Sequence, residues 1–324
     1  MALRIPEMAA VEKPKLDLGF LDGIATTGQN AAVLIEGEPC LRQVIEMLAS
    51  KQRKILGKGK SGIVLEIVDS ARKGPVRYAV KMTPTTDDFS CNEFKMASLL
   101  RSKVDKVGIF NNVDCWFTQN YLYLVMKIAD TSLLTCIEIG EIPRDARWLI
   151  LGQILHGLDF LHKLGFVHGD LKPANILLSK LYGAQICDFA TATKDPVKHV
   201  GTYRYMPPEQ ILDSRPATQK GDIWSIGLTT VEMVIGGHAK GPDGTSTTVD
   251  DVKRDYRKQY NPLTCLNGIN DDDVSTKVAK CCLHLDPQKR ASVHVLVQEY
   301  FQKIPQSTQH AISELIDKTH GSSM

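Results

Sequence analysis

Between Ile55 and Lys127 the chain carries three short runs, ILGKGKSGIVLEIV, VRYAVKM and YLYLVM, rich in β-branched or aromatic residues and separated by turn signals. After residue 143 the apolar spacing becomes helical. Trp148, Leu151, Leu155, Leu158 and Leu161 form a stripe through DARWLILGQILHGLDFLHKLG, which Gly165 ends. GDIWSIGLTTVEMVIGG, residues 221–237, is apolar nearly all round and reads as a buried helix. Strands gathered in one half and helices in the other predict an α+β fold in two lobes. The polar, Gly-containing stretch 238–262 reads as a long surface connection.

Residues 1–50 read as an extension, within which CLRQVIEMLASK places Leu41, Val44, Ile45 and Leu48 on one helical face. Two uses stay open for this helix: packing on the small lobe, or binding a regulatory protein partner. EKPKLDL at 12–18 reads as a solvated start, loosely like a docking peptide for mitogen-activated kinases. Lys plus Arg (39) nearly balance Asp plus Glu (37), so no uniform field points to nucleic acid or a membrane surface. The eight cysteines include no CxxC pair, and no run approaches the ~18 apolar residues of a membrane span. The expectation is a cytoplasmic chain with reduced thiols, the nucleus remaining open, with no nucleic-acid partner and no membrane segment.

GKGKSGIV, residues 57–64, spaces three glycines as G-x-G-x-x-G. A dinucleotide fold would need a helix at the third glycine and an acid about twenty residues on. Instead the glycines sit between two strand patterns, and the second strand carries Ala79, Val80 and Lys81. A glycine hairpin lets backbone amides approach phosphate oxygens, and a lysine on the adjoining strand supplies a point charge for them. Glu93 is the one glutamate between Met82 and Ile137, on a face with Met96, Ala97 and Leu100; it is a partner for that lysine, or half of a capping box with Ser90. Then HGDLKPANILL at 168–178 and CDFA at 187–190 gather Asp170, Lys172, Asn175 and Asp188, carboxylates and an amide suited to a hydroxyl, a divalent cation and phosphates.

These motifs resemble the eukaryotic-type protein kinases from about Ile55 to about Tyr300. The resemblance implies a bilobal fold over 51–301, with a small, mostly antiparallel β lobe over about 51–129 containing one regulatory helix, a mainly α-helical lobe over about 130–301, and a C-terminal tail over 302–324. It implies ATP with Mg²⁺, Mn²⁺ being a substitute, and protein substrates. Gly57, Lys58, Gly59 and Gly62 then cover the nucleotide, Lys81 holds its phosphates and Glu93 holds Lys81. Asp170, assisted by Lys172, accepts the substrate hydroxyl proton, and Asn175 and Asp188 hold the metal. Leu56, Val64, Ala79, Met126 as gatekeeper, Ile128 in the hinge 127–129 and Leu177 form the adenine slot. Cys187 either faces that slot or fills space. Glu209 with Arg290, and Asp222 beneath the catalytic loop, are structural, as is His168.

Two positions depart from the family pattern. Gly169 replaces an arginine and Ala190 a glycine, which implies strain at Ala190 if its backbone keeps a glycine-only angle. Without that arginine, phosphate on Thr191, Thr193 or Thr202 loses its customary partner, so activity is expected not to depend strictly on activation-loop phosphorylation. Lys172, with GTYRYMPPE at 201–209, resembles serine/threonine kinases, and Ala174 stands where kinases preferring arginine near the target often carry an acid. The alternative is a pseudokinase or scaffold that keeps the fold and acts by binding; a kinase for small molecules fits the GTYRYMPPE segment poorly.

Overall fold

A computed structural model of the protein describes residues 41–49, 53–59, 62–69, 76–85, 90–101, 108–109, 112–117, 120–195, 197–198, 200–239, 248–258, 261–303 and 309–321. The basic run at 12–18 lies outside these. The first described element is helix α1, Leu41–Ala49, followed by strands β1 (Lys54–Gly59), β2 (Gly62–Asp69) and β3 (Val76–Pro84). Helix α2 (Ser90–Arg101) and strands β4 (Asn112–Phe117) and β5 (Tyr121–Lys127) complete the small lobe. Its five strands lie in the order β1-β2-β3-β5-β4, all antiparallel to their neighbours. The edge strand β4 was not legible: NVDCWF mixes polar and apolar residues without a clear alternation.

Both faces of this sheet are covered, which explains why β3 is buried along nearly its whole length. Tyr78, Val80 and Met82 point to one face with β2's Ile63, Leu65 and Ile67, where Val44 and Leu48 of α1 close the cluster. The helix that could have awaited a partner therefore packs on its own lobe. The intervening residues Ala79, Lys81 and Thr83 take the other face, where Leu122 and Leu124 of β5 meet Ala97 of α2. The two-residue strand period is thus what aims Lys81 at α2.

The large lobe begins with a two-residue strand β6 (Thr131–Ser132) and helix α3 (Leu133–Ile139), capped by the Ser132 hydroxyl accepting the Thr135 N–H. Helix α4 (Arg144–Lys163) is buried on most sides, not along one stripe, and Leu164 and Gly165 (φ 83°) end it. Strands β7 (Ile176–Ser179) and β8 (Gly183–Ile186) form a sheet with β6, and helices α5 (Pro208–Leu212) and α6 (Gln219–Ile235) follow. The apolar α6 is the axis of this lobe, with Trp224 fully buried.

The stretch expected as surface connection contains helix α7, Val249–Arg257. Thr248 and Asp251 form a complete capping box there, and Val252, Asp255 and Tyr256 are buried. Helices α8 (Val274–Cys282) and α9 (Val293–Tyr300) complete the lobe, and a further helix α10 (Gln309–Gly321) folds back on α3, α4 and β7 with Ile312 and Ile316 fully buried. Arg290, wholly buried, donates two hydrogen bonds to the Glu209 carboxylate at 2.7 and 2.8 Å and lies over the Trp224 ring. Cys115, Cys136, Cys187, Cys265, Cys281 and Cys282 form no disulfide, and no helix among the described residues is long and apolar enough to cross a membrane.

Leu48→Ala should lower the unfolding free energy by about 2–5 kcal/mol, the cost of a core cavity. Urea denaturation of the full chain measures this; an unchanged midpoint would mean that α1 lies outside the cooperative core.

Candidate active site

Lys81 leaves β3 with its ammonium between two carboxylates, donating to Glu93 Oε1 at 2.5 Å and to Asp188 Oδ1 at 2.8 Å. Glu93 is also fixed by Thr83, two residues beyond Lys81 on the same face, whose hydroxyl donates to Oε2 at 3.1 Å. Its carboxylate is thereby committed to the strand and not to capping α2. Burial works against the Lys81 charge, but the two carboxylates reverse this and hold the ammonium above its ordinary value. Burial also opposes ionisation of Asp188, yet Lys81 beside it holds the carboxyl below the usual aspartate range. Glu93, deeper still, is pushed up by burial.

Backbone geometry delivers Asp188 to this point. It adopts a left-handed conformation, φ 62° and ψ 73°, whereas Ala190 has no positive φ and sits in the short 3-10 turn Phe189–Thr191. The strain expected at Ala190 is therefore carried by Asp188, a residue type that tolerates this region better than most. Phe189 packs against the His168 ring, centroids 5.3 Å apart. His168 Nδ1 faces the Asp170 N–H at 3.3 Å, so Nε2 carries the proton it donates to the Cys187 carbonyl at 3.1 Å. Cys187 has its thiol pushed up by burial and offers no ready thiolate.

Asp222, at the start of α6, holds the loop from below. Its carboxylate accepts the backbone N–H groups of His168 at 2.8 Å and Gly169 at 3.0 Å, and meets His162 Nε2 at 2.9 Å. Above it, Lys172 Nζ donates to Asp170 Oδ2 and Thr202 Oγ1, both at 2.7 Å, and the Thr202 hydroxyl donates to Asp170 Oδ1 at 2.7 Å. Thr202 reaches this point because Gly201 (φ 100°) lies against the backbone of Gly169 (φ 80°); a Cβ on Gly201 would fall 2.3 Å from the Gly169 carbonyl oxygen. Asn175 Nδ2 donates to the Asp170 carbonyl at 2.8 Å, which turns its amide oxygen the other way, and the Asn175 carbonyl accepts the Cys187 N–H at 2.9 Å.

Lys81, Glu93, Asp188, Asp170, Lys172 and Asn175 are thus linked by direct bonds or through adjoining backbone. The remaining expected residues lie on β1, β2, β3, β5 and β7 or directly after β5. Gly57 pairs with Val64, Val64 with Lys81, and Ala79 with Met126 across β1, β2, β3 and β5. Ile128 follows β5 directly, and Leu177 pairs with Ser132 on the strand that the hinge enters. Leu56 and Lys58 stay exposed on the edge strand. Gly62 is required by the fold, since its Cβ would lie 2.1 Å from the Met82 carbonyl oxygen, whereas a Cβ at Gly57 or Gly59 would meet nothing within 4 Å. Packing does not explain those two glycines.

Sequence reasoning missed Thr83 and the roles of His162 and Thr202 as partners of Asp222 and Asp170. Thr83 was signalled by the strand period. The other two pairs span 60 and 32 residues, with no local pattern to announce them. No group of three or more His, Cys, Asp or Glu side chains among the described residues could cage a metal. The Asn175 amide oxygen and the Asp188 carboxylate do suit a hard divalent cation that takes its other ligands from phosphate and water.

The protein kinase domain family matches residues 50–302. Similar proteins include an Encephalitozoon cuniculi protein named a probable CTD kinase subunit alpha homolog, 29% identical over 77% of this chain and 83% of its own length. Mitogen-activated protein kinase kinase 2 of Arabidopsis thaliana is 27% identical over 76% of this chain and 70% of its own. Mitogen-activated protein kinase mpk-1 of Caenorhabditis elegans is 28% identical over 55% and 43% respectively.

Because the folded state holds Asp188 below its ordinary range, its ionised form contributes stability above the unfolded value and loses it as pH falls through the folded one. The stability difference between wild type and Asp188→Asn should stay flat from pH 7 to about 5 and close below about 4. Urea unfolding at a series of pH values reads it.

Proposed function

Because this chain belongs to the protein kinase family, we propose that it transfers the terminal phosphoryl group of Mg²⁺·ATP to serine and threonine hydroxyls of proteins. The observation that carries this is the bonded set Glu93–Lys81–Asp188, which joins both lobes at a single ammonium. ATP supplies the transferable phosphoryl group, and a divalent cation held by Asn175 and Asp188 neutralises charge on its oxygens. Lys81 places a fixed positive charge beside those oxygens, and Glu93 keeps it from swinging away. Gly57 and Gly59 leave the edge hairpin without side chains, so its backbone N–H groups can come close.

Asp170 orients the acceptor hydroxyl and takes its proton as the new phosphorus–oxygen bond forms and the bond from phosphorus to the departing ADP breaks. Lys172, bonded to the same carboxylate, keeps it aimed in company with Thr202. Leu56, Val64, Ala79, Met126, Ile128 and Leu177 supply the apolar walls for adenine. Catalysis in this arrangement is positioning and electrostatic stabilisation, with no covalent intermediate on the protein.

The three candidate phosphorylation sites are all engaged. The Thr191 hydroxyl donates to the His168 carbonyl at 2.8 Å, Thr193 is buried with its hydroxyl accepting the Asp195 N–H, and Thr202 is held by Asp170 and Lys172. This supports a kinase whose activation segment is docked without phosphate.

Wild-type protein with Mg²⁺·ATP and a mixed protein substrate should yield phosphoserine and phosphothreonine, and Asp170→Asn should lower the rate by about 10²–10⁴-fold. Equal rates in the two proteins would overturn the assignment of Asp170. Phosphatase treatment of the wild type should leave its activity within about twofold, because no new charge pair has to form at Gly169. Loss of all activity after that treatment would show an obligatory switch.

A further inference from the structure

The hinge 127–129 is gripped at both ends by one turn of the large lobe. At its start, Lys127 Nζ donates to the Tyr182 hydroxyl at 3.1 Å. Directly after it, Asp130 donates its backbone N–H to the Leu178 carbonyl at 3.0 Å, and its side-chain Oδ2 accepts the Lys180 N–H at 2.8 Å. Thr131 and Ser132 then pair with Leu178 and Leu177, so β6 continues the same attachment. Leu178 lies on β7, and Lys180 and Tyr182 lie in the turn 180–182 that joins β7 to β8. Where that turn sits therefore decides where the hinge sits.

The turn is backed in its turn by helix α10. Leu178 is fully buried in the apolar cluster that takes in Ile312, Leu315 and Ile316 of α10, and the helix lies directly against α3, β7 and β8. At the edge of this contact Asp317 accepts from Lys180 Nζ, the side chain of the same residue whose backbone N–H is held by Asp130. This ion pair is exposed and adds little by itself. The apolar residues carry the docking, and the pair sets its register. Helix α10 lies past the residues 50–302 that the protein kinase domain family matches, so these contacts reach the hinge from outside the matched domain.

Resting on the kinase function proposed above, we infer that α10 and the β7–β8 turn position the hinge for the nucleotide, with Tyr182 and Lys180 as positioning residues and Ile312 and Ile316 as their backing. A purine offers its donors and acceptors along one edge, and hydrogen bonds weaken steeply as their partners move out of line. Backbone groups that read such an edge bind best when the chain carrying them is already fixed, because ordering it on binding costs affinity. The catalytic loop is held by a different group, Asp222, from below. The backing by α10 therefore acts on nucleotide affinity and leaves the rate of transfer at saturating ATP unchanged.

The test compares the full chain with Tyr182→Phe, Ile316→Ala, Ile316→Val and Leu296→Ala. KM for ATP and kcat are measured at saturating protein substrate, and Kd for Mg·ADP by titration calorimetry. Tyr182→Phe removes one hydroxyl from an exposed side chain, Ile316→Ala opens the α10 contact, and Leu296→Ala is a packing control at an equally buried position of α9. Tyr182→Phe and Ile316→Ala should raise both KM for ATP and Kd for Mg·ADP about three- to tenfold, the worth of about one net hydrogen bond, with kcat within about twofold of wild type. Ile316→Val, which keeps most of the buried side chain, and Leu296→Ala should stay within about twofold in all three. Thermal denaturation shows which variants are folded at the assay temperature; should Ile316→Ala not be, Tyr182→Phe decides. Unchanged KM and Kd in Tyr182→Phe or in a folded Ile316→Ala, a kcat that falls in step with affinity, or the same rise in Leu296→Ala overturns the inference and leaves the kinase function intact. If the wild type binds Mg·ADP but transfers no phosphate, the kinase function falls and the Kd comparison alone decides the inference. A wild type that neither binds Mg·ADP nor transfers phosphate overturns both.

Discussion

One buried carboxylate, Asp222, sets the geometry on which the rest of the site depends. It is 2% exposed at the start of the apolar helix α6 and accepts two consecutive backbone N–H groups of the catalytic loop and meets the ring of His162. A carboxylate so deep is tolerated because two backbone N–H groups and the His162 ring face its oxygens. The consequence is a loop whose backbone is fixed from below, so the side chains it presents above can be few and short. Asp170, Lys172 and Asn175 then fall into place within six residues, and Thr202 closes the group from the far side.

The small lobe reaches the same point by a different physical route. Two-residue periodicity divides β3 into one face that packs on α1 and another that offers Lys81 and Thr83 to Glu93. Both lobes therefore meet at Lys81 and Asp188 through a charge pair, beside the apolar contact that Met96 and Leu100 of α2 make with the core of the large lobe. Burial of such a pair is costly unless its geometry is good. Here Glu93 is bound at both oxygens and Asp188 is turned in by its left-handed backbone.

Much of this was legible in the chain because the relevant signals are local. The glycine hairpin, Ala79-Val80-Lys81, HGDLKPAN and the buried helix 219–235 each carry their chemistry within a dozen or so residues. What escaped was of two kinds. Helix α7 hides in a polar stretch because it buries only one narrow face, and β4 is an edge strand with no clean alternation. The Thr202–Asp170 and His162–Asp222 contacts join residues far apart in sequence, and no spacing rule can announce them. The expected strain at Ala190 was misplaced by two residues, since a sequence names the unusual residue but not which neighbour adopts the unusual angle.

Helix α10 has a consequence for how the chain is made. Its Ile312, Leu315 and Ile316 cover apolar surface supplied by elements that precede it by more than 120 residues, among them β7, α4 and α3. Synthesis proceeds from the N-terminus, so that surface is finished while the segment that shields it is still missing. During this interval the nascent large lobe presents a bare apolar groove, the kind of surface that recruits chaperones or neighbouring chains. Completion of the fold is in this sense a timing problem, solved only when the last described turn of the chain arrives.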